Sequence, residues 1–322
     1  MREGENKKTL LITAVGGDIG HAFAKAVAGE GFSLIGCDAR SVCDDHALFK
    51  RCFRVPPANN AQEYLGAVRE IATASGADLV VPISEPEIKA FHDNRAQWSS
   101  WDSRVMINNA TILDHFLDKY QTVTYLQSIG IRVPQTFVLK DYGGQLGFPL
   151  IIKKRSGCGN KGTWKVESPV DLNYFKQKDD GTFLVQEFLG RDDQEFTTGI
   201  FSDGKNTSSI TFKRRLGMGG LSVEVKLADA PALEAMARDI ARHTQLVGSI
   251  NIQSRFCDGT YIPFEINPRL SSTLGFRKAF GFGDCLWWPR VCLGGTYQYQ
   301  KQYKSGRGAR YLAEAYSQMD RI

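Results

Sequence analysis

An α/β unit built on a parallel sheet, followed by a larger α+β region in two lobes, is the fold class this sequence predicts. Three observations predict it. The first hundred or so residues alternate short apolar runs with amphipathic stretches, the pattern of β-α-β units. From about Ile112 the order changes to helix, strand, glycine-rich loop and strand. Further on, an apolar hairpin turns at Asp258-Gly259 and carries the run Glu265-Ile266-Asn267-Pro268-Arg269.

Taken in order, Thr9 to Val15 reads as a buried strand, and Gly16-Gly17-Asp18-Ile19-Gly20 as the turn into a helix with Phe23, Ala24 and Val27 on one face. Phe32 to Cys37 is a second strand, Ala61 to Ser75 a helix by spacing, and Ala77 to Ser84 a strand ending in the polar turn Ser84-Glu85-Pro86-Glu87. Another short strand ends near Asn108, where Asn-Asn-Ala-Thr supplies helix-start chemistry, so a first domain of residues 1–110 is expected. Ile112 to Ile129 are expected to be helical and to end at Gly130. Two strands then flank a glycine-rich turn, and Phe183 to Leu189 forms another. Lobes of residues 111–185 and 186–322 follow, with a helix over Pro231 to Thr244 and the hairpin at Asp258-Gly259 in the second.

Composition narrows the function classes. With 322 residues, 42% of them hydrophobic and 23% charged, the chain has material for more than one core. The net charge of +5 is spread along the chain without a basic run, which does not point to nucleic acid. Cys37, Cys43, Cys52, Cys158, Cys257, Cys285 and Cys292 make an odd set without a C-x-x-C pair, which argues against a disulfide framework or a zinc site and for a reducing cytoplasm. No apolar run approaches the roughly 20 residues of a membrane span, so no membrane is expected as partner.

Chemistry concentrates in three places. Gly16-Gly17-Asp18-Ile19-Gly20 can offer backbone N–H groups to an anion, and Asp38 closes the second strand, yet the spacing meets a dinucleotide fingerprint only in part. A tight turn for close packing and a substrate-positioning loop are the other readings. Secondly, Lys153 ends an apolar strand and precedes Ser156 to Gly162, so its ammonium can meet phosphates while the loop amides close over them. Alone, this segment reads equally as a hairpin with a solvated Lys-Lys-Arg edge. Thirdly, Gln253, Glu265 and Asn267 offer hard oxygens from adjoining strands, with Glu265, Asn267 and Arg269 on one face by alternation. Magnesium accepts such ligands, and Arg269 adds a fixed positive fork.

Lys119, Lys153, Gln186-Glu187-Phe188-Leu189, Glu195, Gln253 and the Glu265-x-Asn267-Pro268-Arg269 strand stand in the order of the ATP-grasp superfamily. The chain most resembles its carbamoyl-phosphate-synthetase-like branch, including stand-alone amino-acid ligases. The resemblance covers nearly the whole chain. It implies a Rossmann-like pre-ATP-grasp domain followed by a two-lobed ATP-grasp fold. It also implies that Lys119 and Lys153 bind phosphates under a lid that includes Gly157, Gly159 and Gly162, and that the backbone of Glu187 and Leu189, on either side of Phe188, hydrogen-bonds the adenine edge. Glu195 would hold the ribose, Gln253, Glu265 and Asn267 would carry Mg2+ (Mn2+ being the alternative ion), and Arg269 would stabilise the transferred phosphoryl group. Two departures are that Lys154 stands where the family usually has proline, and that the Glu187 to Glu195 spacing is one residue longer.

The implied activity is an ADP-forming carboxylate-amine ligase working through an acyl phosphate, with a small carboxylate and an amine as substrates and a homodimer as a frequent assembly. Lys213, Arg214 and Arg215 precede a glycine-containing turn, and Arg215 is a candidate for holding a substrate carboxylate or the γ-phosphate; a solvated strand edge is the other reading. Ser271, Ser272 and Thr273 are candidate acceptor contacts or helix caps, and Phe280, Trp287 and Trp288 candidate core. A non-catalytic ATP-binding sensor and an NAD-dependent oxidoreductase are the competing functions.

Overall fold

A computed structural model describes residues 7–40, 48–157, 162–190 and 194–311. The N-terminal unit runs β1 (Lys8–Ile12), α1 (Asp18–Val27), β2 (Phe32–Asp38), β3 (Arg51–Arg54), α2 (Ala61–Ser75), β4 (Leu79–Val81), α3 (Glu85–Asp93), α4 (Arg95–Trp98) and β5 (Arg104–Val105). Its strands form one parallel sheet in the order β3-β2-β1-β4-β5, with the chain reversing direction beside β1. Alternation sorts β1 between two cores: Leu10 and Ile12 face α1, whereas Leu11 faces α2 and α3.

The Ser84-Glu85-Pro86-Glu87 segment is a helix start, not the expected turn. Ser84 caps α3 in a reciprocal capping box with Glu87, and a proline sits in the first turn, where its missing N–H breaks no helical bond. The helix expected over Ile112 to Ile129 is two, α5 (Ala110–Phe116) and α6 (Lys119–Ser128). Asp118 separates them, because its carboxylate accepts from Tyr120 N and Gln121 N and so restarts the chain as an N-cap. Asn109 caps α5 through Ile112 N, as its sequence context predicts.

A four-stranded antiparallel sheet follows, from β6 (Thr136–Val138), β7 (Leu150–Lys154), β8 (Thr163–Val166) and β9 (Phe183–Glu187) in the order β6-β9-β7-β8, with α7 (Pro169–Gln177) alongside. The boundary expected at 185/186 falls inside β9, whose last two residues stay with this lobe. The second sheet has six strands in the order β14-β13-β10-β11-β12-β15, made by β10 (Glu195–Asp203), β11 (Thr207–Leu216), β12 (Ser222–Leu227), β13 (Val247–Cys257), β14 (Thr260–Asn267) and β15 (Arg307–Ala309). The turn at Asp258-Gly259 has positive φ at both residues, as the sequence predicts for a tight hairpin.

One face of this six-stranded sheet buries Ile200, Ile250, Ile252 and Ile266 against α5, α6 and α8 (Pro231–His243). Towards one end of the other face, Phe201, Phe212, Val225 and Leu227 pack with α9 (Leu274–Ala279), α10 (Asp284–Cys292) and α1, so a single core joins the N-terminal unit to this lobe. Trp287 and Trp288 are core, as expected, and Phe280 is partly buried against the same core, with its ring on Phe212. The rest of that face is polar and looks toward the four-stranded sheet.

Gly20 fixes the first turn sterically. A Cβ there would lie 2.2 Å from the Ala14 carbonyl oxygen. Gly20→Ala is therefore expected to destabilise the fold by about 3 kcal/mol through forced backbone displacement, read as a lower urea midpoint. An unchanged midpoint would return this glycine to a ligand-binding role.

Candidate active site

The two sheets enclose a cleft of about 1060 Å³. Lys153, the penultimate residue of β7, lies within it at 4% exposure because strand alternation turns it inward beside Gln186. Its Nζ donates to Gln186 Oε1 at 2.9 Å and to the Phe264 carbonyl at 3.2 Å, joining the small lobe to β14. Burial lowers the ammonium pKa to about 8; the Glu265 carboxylate opposes that shift and Lys119 adds to it.

Lys119 opens α6 and spans to the loop after β7: its Nζ donates to the Gly157 carbonyl at 2.6 Å and its backbone N–H to Arg155 O at 2.9 Å. Asp118 pairs with Arg155 at 2.7 Å, so helix cap and loop base are stitched together. Gly157 and Gly162 flank the loop with φ of +116° and +86°, conformations that favour glycine. Gly159 and Cys158 lie outside the described residues.

At the end of β9, Glu187, Phe188 and Leu189 line the cleft. The Glu187 N–H and carboxylate are both used on Gln135, at 2.9 and 3.1 Å, which fixes the strand end. Phe188 lies under two cations, Lys165 at 5.0 Å and Arg255 at 5.8 Å from its ring centre.

The polar corner lies on β13 and β14, where Gln253 and Glu265 are direct cross-strand partners, as are Asn251 and Asn267. Glu265 Oε1 accepts from Asn267 Nδ2 at 3.2 Å and from Gln253 Nε2 at 3.4 Å. Arg269 donates to Asn267 Oδ1 at 3.1 Å and pairs with Glu85 of α3 at 2.8 Å, so Glu265, Asn267 and Arg269 do share one face. The sequence reading missed Glu85 in this role, although its motif was noticed. The donor set fits an ion that arrives with a nucleotide. It offers one carboxylate and amide oxygens beside a cleft, and among the described residues no group of three or more His, Cys, Asp or Glu gathers to hold an ion alone.

Glu195 is placed otherwise than the resemblance implies. Its buried carboxylate accepts from Arg214 Nε at 3.0 Å and from Arg255 Nη2 at 3.2 Å, so both oxygens are taken by guanidiniums rather than open to a ribose. Arg215, the expected substrate contact, carries a 63% exposed side chain paired with Glu224 at the rim. Within the basic cluster Lys213-Arg214-Arg215, Arg214 is the inward one: it follows Phe212 at period two on the same face. Ser271 and Thr273 bond each other at 2.8 Å, and Ser271 bonds Asn251 at 3.1 Å, beneath the corner.

The oxidoreductase alternative loses its support at the first turn. The Asp38 carboxylate accepts from Gly16 N at 2.9 Å and from Arg40 N at 2.8 Å. A fixed anion thus already occupies the Gly16 amide of the turn that would have to receive a dinucleotide pyrophosphate.

Comparison with known proteins finds likenesses of family and of fold. A family model described as ATP-grasp in the biosynthetic pathway with Ter operon matches residues 179–310. The N5-carboxyaminoimidazole ribonucleotide synthase of Synechocystis sp. is 33% identical over 75 residues, 23% of this chain and 19% of that protein. The carbamoyl phosphate synthase large chain of Campylobacter jejuni is 22% identical over 209 residues, 57% of this chain. Each of these matches spans only 19% of the curated relative. Among solved structures, the biotin carboxylase domain of Hydrogenobacter thermophilus 2-oxoglutarate carboxylase, in complex with MgADP and bicarbonate, superimposes with TM-score 0.74 at 14% identity, covering 91% of this chain and 71% of that one. The L-amino acid ligase of Bacillus licheniformis gives 0.69 at 17% identity, covering 90% and 75%. In fold, in motif order and in the family match over residues 179–310, the chain resembles ATP-grasp ligases, the carbamoyl-phosphate-synthetase-like branch among them.

Proposed function

We propose that the chain is an ADP-forming ligase that activates a small carboxylate as its acyl phosphate and joins it to an amine. The observation that carries the reading is the buried Lys153 ammonium, held between the small lobe and β14 and facing Glu265, in a cleft large enough for a nucleotide. A cation in so dry a place, to which no carboxylate among the described residues is bonded, suits a phosphate chain.

On this reading Glu187, Phe188 and Leu189 border the base, Lys119 and Lys153 meet the phosphates, and the loop from Gly157 to Gly162 closes over them. Glu265 and Asn267 hold Mg2+, which when bound neutralises phosphate charge. Arg269, kept on the same face by Asn267 and Glu85, receives the charge that builds as phosphoryl passes to the substrate carboxylate. Loop closure excludes the water that would hydrolyse the acyl phosphate before the amine attacks. On the acceptor side the N-terminal unit contributes Glu85, which holds Arg269. Arg215 stays a rim contact for an anionic substrate.

The test offers Mg-ATP with pools of amino acids and small carboxylates and follows ADP and phosphate release, with Lys153→Ala as control. One pool is expected to stimulate release that the control lacks. ATP binding without stimulation by any pool would favour a non-catalytic sensor.

A further inference from the structure

Behind the corner lies a buried ion cluster to which nothing above gives a role. Arg255 and Glu195 are direct partners across β13 and β10, and Arg214 joins Glu195 from β11. The Arg214 and Glu195 side chains are each only 6% exposed. Two charges in so dry a position are expensive to bury, and replacing such a pair by apolar groups is often neutral or stabilising. The cluster therefore calls for a purpose other than stability.

Hydrogen-bond polarity supplies one. A guanidinium has five donors and no acceptor, so only an oxygen can face it. Arg214 Nη2 donates to Gln253 Oε1 at 2.6 Å. That contact turns the Gln253 amide so that Nε2 points to Glu265 Oε1 at 3.4 Å. Asn267 Nδ2 reaches the same oxygen at 3.2 Å. Both donors converge on Oε1, and among the described residues none hydrogen-bonds Oε2.

We infer that Arg214 is a positioning residue: anchored on Glu195, it fixes the Gln253 amide as a donor, which with Asn267 holds Glu265 so that Oε2 is presented to a nucleotide-bound cation. Gln253 then orients a ligand and is not one itself, in contrast to what the resemblance implies. The inference rests on the ATP and Mg2+ reading above. A carboxylate with one oxygen tied down loses less freedom on meeting the ion, as for the outer partners that orient ligands in other metal sites.

Calorimetric titration of Mn2+ into the full chain saturated with ADP, and of ADP alone without metal, tests it. Arg214→Lys keeps the charge but loses the planar fork that reaches Glu195 and Gln253 together. Mn2+ affinity in the ADP complex is expected to fall about 10- to 100-fold, with metal-free ADP affinity changed by less than about two-fold. In a Gln253→Met background, Arg214→Lys is expected to add nothing further. Unchanged or tighter Mn2+ binding in Arg214→Lys would overturn the inference, because a released Gln253 oxygen would then be serving as ligand. Equal losses with and without metal, or a loss that adds to that of Gln253→Met, would also overturn it. Should Arg214→Lys fail to fold, Glu195→Gln loosens the same guanidinium and carries the same expectation. A wild-type chain that binds no ADP would remove the ligase reading itself, whereas normal wild-type binding with an unaffected variant removes only the role of Arg214.

Discussion

Lys153→Met is expected to lower ADP-forming turnover by about 10²- to 10³-fold, the loss typical when one preorganised group facing developing charge is removed. Methionine keeps the length and fills the same dry space, so the fold should hold. The stronger signature is a proton. Burial holds the free-enzyme pKa at about 8, so near that pH about half of the molecules carry a neutral amine. Phosphate oxygens favour the charged form and raise the pKa in the complex. The complex then binds more protons than the free protein, so nucleotide affinity is expected to fall as pH rises above about 8. At pH 8 binding should take up about half a proton per site, read by calorimetry in buffers of different ionisation enthalpy. Lys153→Met should abolish that uptake. Equal uptake in both proteins would place the titrating group elsewhere and remove Lys153 from the phosphates.

How much of this was legible in the sequence depends on the range of the interactions. The parallel sheet, the Asp258-Gly259 hairpin and the shared face of Glu265, Asn267 and Arg269 follow from periods of two and from turn residues, and the structure has them. The Ser84 capping box was also legible, since serine followed three residues later by glutamate is a helix-start pattern; its position after a strand made it look like a turn. Asp118 likewise signals a cap, yet the apolar spacing on either side concealed the break. The Glu195 cluster was not legible. Its partners lie 19 and 60 residues away, and only the register of β10 with β11 and β13 brings them together. The same holds for Glu85 and Arg269, 184 residues apart, where a motif in one domain completes the corner in another.

Glu265→Gln is expected to lower turnover by about 10²-fold or more while changing nucleotide affinity by less than about ten-fold. The substitution is isosteric and leaves an acceptor for Asn267, so what it removes is the charge. Phosphates and amide oxygens can retain an ion in the ground state, but the neutralisation needed as phosphoryl moves then rests on fewer groups. Steady-state ADP release and calorimetric ATP binding separate the two effects, and unchanged turnover would remove the metal assignment. A second readout ties the corner to the cleft. The Glu265 charge holds the Lys153 pKa up against burial and Lys119, so its loss should move that pKa below about 8. The proton-uptake curve of the variant is therefore expected to shift to lower pH, with uptake at pH 8 growing toward a full proton where the complex stays protonated. A curve at its original position would mean that Glu265 does not act on the Lys153 ammonium, and that the cation and the carboxylate serve separate steps.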